Sequence, residues 1–276
     1  MKILFIDIDG TLLNYEYQLP LSAKEAVLKA KENGHKIVLC TGRSFPEIVD
    51  EVWSVKPDGF IGGNGAYVEY DNEVLFHKVI PYKETRRVLD YLKERRLEYF
   101  VECNEGLIAS KDFKTIGDRL IKIFALNKGL NNPDEQTIEK LFPTMQFKGE
   151  TCRDDLNKIS YCLNSLSDFE EMKKLFPEFD HYVWGNDKSK AVFADVRIKD
   201  LNKASGVEVV LDHLDMKTED AIGFGDAKID KSLLKKCGYG VAMKRAPESL
   251  KEIADYVTDD VDNDGLYKAF EYLNLI

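Results

Sequence analysis

The same rhythm opens and closes this chain. Near the amino terminus, short and almost unbroken apolar runs (Ile3 to Ile8, Ile37 to Cys40, Gly59 to Gly62) alternate with helical stretches. Ser22 to Asn33 carries Ala26, Val27 and Ala30 at helical spacing, with Gly34 as a stop, and Pro46 to Trp53 reads as a second helix. The alternation returns late. Helices are expected over Ser205–His213, Lys231–Lys236 and Pro247–Ala254, and strands over Ala221–Phe224, Tyr239–Met243 and Tyr256–Thr258. A strand that is apolar on both faces needs cover on both, which is the pattern of a parallel sheet sandwiched by helices.

The middle follows a different pattern. Longer charged helices (Glu84 to Arg96, Asp168 to Leu175) accompany alternating strands, Glu98 to Glu102 and Ala191 to Arg197, that suit a half-exposed sheet. The expectation is an α/β protein with a Rossmann-like parallel-sheet core, residues 1–81 and 193–276, interrupted by an inserted α+β domain at 82–192. With 276 residues, 44% of them hydrophobic, there is material for both cores. A net charge of −10 argues against duplex nucleic acid as a partner, which needs a basic footprint. Five cysteines without a Cys-x-x-Cys pair argue against a disulfide framework or a thiolate zinc site. No apolar run approaches the roughly 20 residues of a membrane span. A soluble, cytoplasmic protein is expected, with no membrane association and no evident obligate protein partner.

Polar residues gather where the core strands end. The first ends in Asp7-Ile8-Asp9-Gly10-Thr11, the second in Thr41-Gly42-Arg43, the third in Asn64-Gly65, and a late one in Gly225-Asp226 with Asp230 beyond. Ligands of open parallel sheets bind beyond the carboxyl ends of the strands. Asp7 and Asp9, two apart on an extended segment, point the same way about 7 Å apart. Any one of these residues alone reads as turn punctuation or a helix N-cap. Four strand ends delivering polar groups to one rim read as a site.

At this point the sequence resembles a known family. Asp7-Ile8-Asp9-Gly10-Thr11-Leu12 matches the DxDGTL signature of haloacid dehalogenase-like phosphatases. Thr41-Gly42-Arg43, Lys203 and Gly225-Asp226 then fall where that family's second, third and fourth motifs belong. The insertion between the second and third motifs is similar to the class IIB α/β cap of the Cof-type subfamily.

The resemblance implies a reaction. A phosphomonoester is an anion whose transition state spreads charge over three oxygens. By analogy, Asp7 is the nucleophile that forms an aspartyl-phosphate. Asp9 is the general acid for the leaving alcohol and then the base for water. Thr41, Gly42, Lys203 and the backbone N–H groups around Gly10 are expected to bind phosphate, and Arg43 and Asn64 to face the substrate. Arg43 could instead pair with a core carboxylate. Asp7, Asp9, Asp226, Asp230 and a phosphate dianion carry six negative charges; a divalent cation and Lys203 reduce that to three, and a proton on Asp9 to two. A raised pKa at Asp9 is therefore expected. Hard oxygen ligands beside a phosphate point to Mg²⁺. The resemblance assigns it to the carboxylates of Asp7 and Asp226 and the carbonyl of Asp9, with Asp230 supporting from behind.

One position departs from the family. The fourth motif usually reads GDxxND, and here Ile229 stands where the Asn belongs. Its polar duties must be met elsewhere or be absent. A separate stretch, Asp260-Val261-Asp262-Asn263-Asp264-Gly265 with Glu271, formally fits a calcium loop. The preceding segment reads as a strand rather than a helix, so an acidic cap on a final helix over Leu266–Leu273 is the better reading.

The expected activity is Mg²⁺-dependent hydrolysis of a small phosphorylated metabolite, a sugar phosphate or a phosphorylated cofactor. A sugar phosphomutase is the first alternative; it needs further basic groups on the cap, for which Lys188, Lys190 and Arg197 are candidates. A receiver-like phosphoacceptor is the second, disfavoured by the chain's length and the large insertion.

Overall fold

The computed structural model describes residues 1–130, 132–185 and 187–276. Contacts divide the chain into two units, one of residues 1–43, 48–77 and 201–276, the other of 44–47 and 78–200.

The first unit is built on an eight-stranded sheet. Its order is Tyr256–Val257, Tyr239–Ala242, Ala221–Gly225, Ile3–Ile6, Lys36–Cys40, Gly59–Gly62, Tyr67–Tyr70 and Glu73–His77. The first six strands run parallel and the last two form an antiparallel edge hairpin. Ile3–Ile6 lies inside the sheet, with Ile6 beside both Leu39 and Phe224. All four of its residues are buried, as a strand covered on both faces must be. On one face Ile3, Phe5, Val38 and Ile61 pack with Val207, Val210 and Leu211 of the helix Lys203–His213. On the other, the helix Leu21–Glu32 buries Ala26, Val27 and Ala30 and packs beside the final helix Gly265–Tyr272. Phe270 of that helix meets Phe224 with ring centroids 5.1 Å apart. Each buried Leu, Ile or Phe stabilises by about 1.5–3 kcal/mol, so the strand ends are held on a stiff base.

The second unit has a six-stranded sheet in the order Phe179–Val183, Phe193–Ile198, Lys158–Cys162, Tyr99–Cys103, Gly106–Ala109 and Met145–Gln146. Only the last pair is parallel. Its helices include Tyr82–Glu94, Phe113–Lys128 and Leu166–Leu175. Phe113, Leu120, Ile121 and Phe124 form an aromatic-rich core with Phe100, Phe142 and Phe193.

The boundaries expected at 82 and 193 are corrected by backbone pairing. Ile80 bridges Leu156, and Phe193–Ile198 is hydrogen-bonded between two strands of the second sheet, so this unit runs from 78 to 200. The helix expected over Pro46–Trp53 is also corrected. It is a 3₁₀ turn at Phe45–Glu47 followed by one α-turn at Asp50–Trp53. Tertiary bonds override the local preference here: Ser44 Oγ donates to Glu102 at 2.9 Å, and Ser44 N–H to Glu47 at 2.6 Å, tying this segment to the second unit. Among the described residues, no helix is long and apolar enough to cross a membrane.

Candidate active site

Parallel register carries the polar residues to one edge. Asp7 follows Ile6 and donates its N–H to the Phe224 carbonyl at 3.0 Å; Thr41 follows Cys40 and donates its own to Ile61 at 2.8 Å. Asp226 follows Gly225, the end of the neighbouring strand. Asp7, Asp226 and Asp230 each offer a carboxylate oxygen within 4.8 Å of the other two, and all three are buried. Asp230 is fixed by its Oδ2, which accepts the N–H groups of Asp226 at 3.1 Å and Ala227 at 2.9 Å. Lys203 opens its helix behind an Asn202 cap, which accepts from Ala204 N–H at 2.9 Å. Only 1% exposed, Lys203 donates from Nζ to Asp7 Oδ1 and to Asp230 Oδ1, each at 2.5 Å.

Three buried carboxylates around one ammonium set the electrostatics. Burial first, then the Asp230 charge, hold Asp7 well above the ordinary carboxylate range against the pull of Lys203. The same two causes push Asp226 up to about 7. Burial pulls Lys203 down, but Asp230 and Asp7 outweigh it and leave the lysine firmly protonated. The site is short of positive charge. Asp226 Oδ1 is buried with no hydrogen-bond partner, whereas Oδ2 accepts the Tyr15 hydroxyl at 2.7 Å. A buried anionic oxygen without a partner is costly, and a cation in the carboxylate triangle would satisfy it. Oxygen donors without imidazole or thiolate suit a hard ion such as Mg²⁺.

Asp9 is differently occupied. Arg43 grips it with two bonds, Nε to Oδ2 at 2.8 Å and Nη2 to Oδ1 at 2.5 Å, and the guanidinium lies 5.3 Å from the Tyr17 ring centroid. Of the two roles open to Arg43, the structure has the pairing with a core carboxylate. Gly10 also has a task other than the expected one. Its N–H is taken by the Leu13 carbonyl at 2.8 Å, so it is not free to cradle phosphate. Its φ is +84°, and a Cβ there would lie 2.2 Å from Asp226 Oδ2 and 2.9 Å from the Tyr15 ring, so only glycine fits.

Thr41 is 1% exposed, and its hydroxyl accepts the Arg43 N–H at 3.2 Å. A Cβ on Gly42 would sit 3.3 Å from the Asn64 amide, so the missing side chain makes room for that group. Asn64 is 4% exposed, and both its amide nitrogen and oxygen lack partners. The expected residues therefore lie along the same strand-end rim, with Arg43 on a carboxylate, one of its two expected roles, whereas the Tyr15–Asp226 contact was not anticipated. Tyr15 sits in a loop without periodicity, and no sequence signal joins it to a residue 211 positions away.

The sequence profile of the haloacid dehalogenase-like hydrolases matches residues 4–270. The chain belongs to this family. It is 29% identical to YkrA of Bacillus subtilis (strain 168) over 281 aligned positions, covering 100% of this chain and 98% of that protein. It is 25% identical to the 5-amino-6-(5-phospho-D-ribitylamino)uracil phosphatase YwtE of the same organism, covering 96% of each. The solved structure of the HAD subclass IIB sugar phosphatase BT4131 superposes with a TM-score of 0.76 at 27% identity, covering 100% of both chains. This haloacid dehalogenase-like protein is thus a Cof-type phosphatase with a Rossmann-like core and an α+β cap. The core is the first unit, which carries the acidic cluster, and the cap is the second.

Proposed function

We propose that this phosphatase hydrolyses a small phosphorylated metabolite, a sugar phosphate or phosphorylated cofactor, through an aspartyl-phosphate on Asp7 and with Mg²⁺ as its cofactor. The observation that carries the reading is the convergence of Asp7, Asp226 and Asp230 on one buried point, with Lys203 bridging two of them. Asp7 and Asp226 would hold the ion, together with the Asp9 carbonyl, and Asp230 would support them from behind. A divalent cation held there would offset the charge of the carboxylates and of the phosphoryl oxygens, easing the approach of anion to anion.

The residues then divide the work. Asp7 Oδ2 is the attacking atom, since Oδ1 is held by Lys203. Thr41 accepts one backbone N–H, and its own proton is directed to a phosphoryl oxygen. Asn64, buried with an unsatisfied amide, donates to the substrate. Asp9 exchanges the proton with the leaving alcohol and then with water. For that it must regain an oxygen from Arg43, and a phosphate dianion competes for the guanidinium, so substrate binding itself frees the acid–base group. Hydrolysis is favoured over transfer to a sugar. The basic residues a mutase would use are paired within the cap: Lys188 with Glu170, Lys190 with Asp187 and Arg197 with Asp195.

The direct test is Asp7→Asn. Phosphate release from p-nitrophenyl phosphate with Mg²⁺ is expected to fall by roughly 10⁴-fold or more while the melting temperature is retained. Turnover like that of the wild type removes Asp7 as nucleophile. A panel of phosphorylated metabolites assayed for phosphate release identifies the substrate class.

A further inference from the structure

The fourth motif carries Ile229, an aliphatic side chain that offers no hydrogen bond. A polar partner for Asp226 comes from elsewhere in the core. Tyr15, in the loop after the first strand, donates its hydroxyl to Asp226 Oδ2 at 2.7 Å. The approach is close and sterically enforced. Gly10 lies between the two side chains, and a Cβ there would collide with both.

Tyr15 is itself held in place. The Arg245 guanidinium lies 5.2 Å from its ring centroid, and Arg245 pairs with Asp260, a carboxylate only 5% exposed. Asp260 in turn accepts the Asp262 N–H at 3.0 Å, and Asp262 accepts from the Asn14 amide, also at 3.0 Å. The acidic stretch that formally fits a calcium loop is thus joined to the Tyr15 loop directly through Asn14 and Asp262, and indirectly through Arg245. It follows the strand Tyr256–Val257 and leads into the last helix, Gly265–Tyr272.

We infer that Tyr15 is a positioning residue for the metal carboxylate: its hydroxyl holds Oδ2 of Asp226 so that the unpartnered Oδ1 faces the cation, and Arg245 with Asp260 holds the ring. A carboxylate's terminal torsion is soft, so a free Asp226 would sample orientations in which neither oxygen faces the ion. One hydrogen bond to one oxygen removes that freedom. Supporting bonds of this kind are worth about 10–100-fold in metal affinity or activity. The inference rests on the Mg²⁺-phosphatase reading.

The test is Tyr15→Phe, which keeps the ring under Arg245 and removes only the hydroxyl. Mg²⁺ binding to the substrate-free protein is measured by calorimetry, beside the melting temperature without metal. The expected result is a Mg²⁺ dissociation constant raised about 10-fold, with the metal-free melting temperature nearly unchanged. Arg245→Met is expected to weaken Mg²⁺ binding in the same direction and by less, since the hydroxyl stays and only its clamp is lost. Unchanged or tighter Mg²⁺ binding in Tyr15→Phe overturns the inference, as does a lowered metal-free melting temperature with the dissociation constant at the wild-type value. If the wild-type protein itself binds no Mg²⁺, it is the functional reading that fails, and the two failures are told apart by that control.

Discussion

In the core, Asp7, Asp226 and Asp230 surround the single ammonium of Lys203; in the cap, Glu47, Glu102 and Asp195 share two cations, Lys158 and Arg197. Both clusters are buried against a sheet, but they balance differently. In the cap, Lys158 lies 3.0 Å from Glu102, and Asp195 takes Arg197 together with the Trp184 N–H at 2.6 Å. Burial raises Asp195, yet Arg197 and Lys158 outweigh it and hold that carboxyl below its ordinary range. Burial and the Glu102 charge push Glu47 up to about 8, which draws this cluster of three carboxylates and two cations toward neutrality. The core cluster has one cation for three carboxylates, two of them pushed toward their protonated forms, and its orphan is a carboxylate oxygen, Asp226 Oδ1; the orphans of the cap cluster, Nε and Nη1 of Arg197, are cationic. A buried charge network that balances internally holds a fold together. One that is short of cations, and holds protons in their place, is suited to a ligand of positive charge.

Removing the lysine from each cluster tests that contrast most severely. Lys203→Met and Lys158→Met each leave buried carboxylates without their ammonium, and each is expected to cost about 3–5 kcal/mol of stability. Mg²⁺ is expected to recover much of the loss in Lys203→Met and none in Lys158→Met, as followed by thermal denaturation with and without the ion. Equal responses to Mg²⁺ would erase the distinction between the clusters. Lys203→Met is further expected to lower phosphate release by about 100-fold, because Asp7 loses the group that orients it.

A smaller effect follows from pH. Asp226 has a folded-state pKa of about 7, above the 3.8 of an ordinary aspartate, so in this range the folded protein holds a proton that the unfolded chain has lost. Stability of the metal-free protein therefore falls as pH rises from about 4 to about 7. Protons and Mg²⁺ compete for the same carboxylate, so Mg²⁺ affinity is expected to rise by up to about tenfold per pH unit below about pH 7 and then level off. Calorimetric titrations at pH 6, 7 and 8 read this directly. Flat affinity across the series would mean that Asp226 is not a ligand.

The smallest effect belongs to the turn just after the two aspartates of the first motif. Gly10→Ala forces a side chain into a φ of +84° and against Asp226, with an expected cost of about 1–3 kcal/mol in urea unfolding. Full stability in that variant would mean that the loop relaxes and that the packing of Tyr15 on Asp226 is loose.

The parallel-sheet core was legible because its strands are short apolar runs and its helices keep a 3.6-residue period. Lys231–Lys236 and Gly59–Gly62 fall where the pattern places them. The helix Phe113–Lys128 was not legible. Its buried residues include Gly117 and Ala125, while Ile123 and Leu126 are exposed, which blurs its apolar stripe. The hairpin Tyr67–His77 carries a weak signal as well, although its turn, Asp71-Asn72, takes the positive φ values that such residue types tolerate. At the site, residue types could be read from the motifs but their pairings could not. Arg43 is compatible with a substrate or with a carboxylate, and the carboxylate it meets, Asp9, is brought beside it only by the fold.

What the amino-acid order determines by itself is local: which segments extend, which coil, and which polar residues stand at the ends of apolar strands, because periodicity and turn chemistry act over a few residues. Which charges meet was decided by the tertiary structure. Asp7, Lys203, Asp226 and Tyr15 come from distant stretches of chain, and their protonation and the direction of a single carboxylate oxygen depend on burial and on a few ångströms of separation, quantities that exist only once the sheet has closed around them.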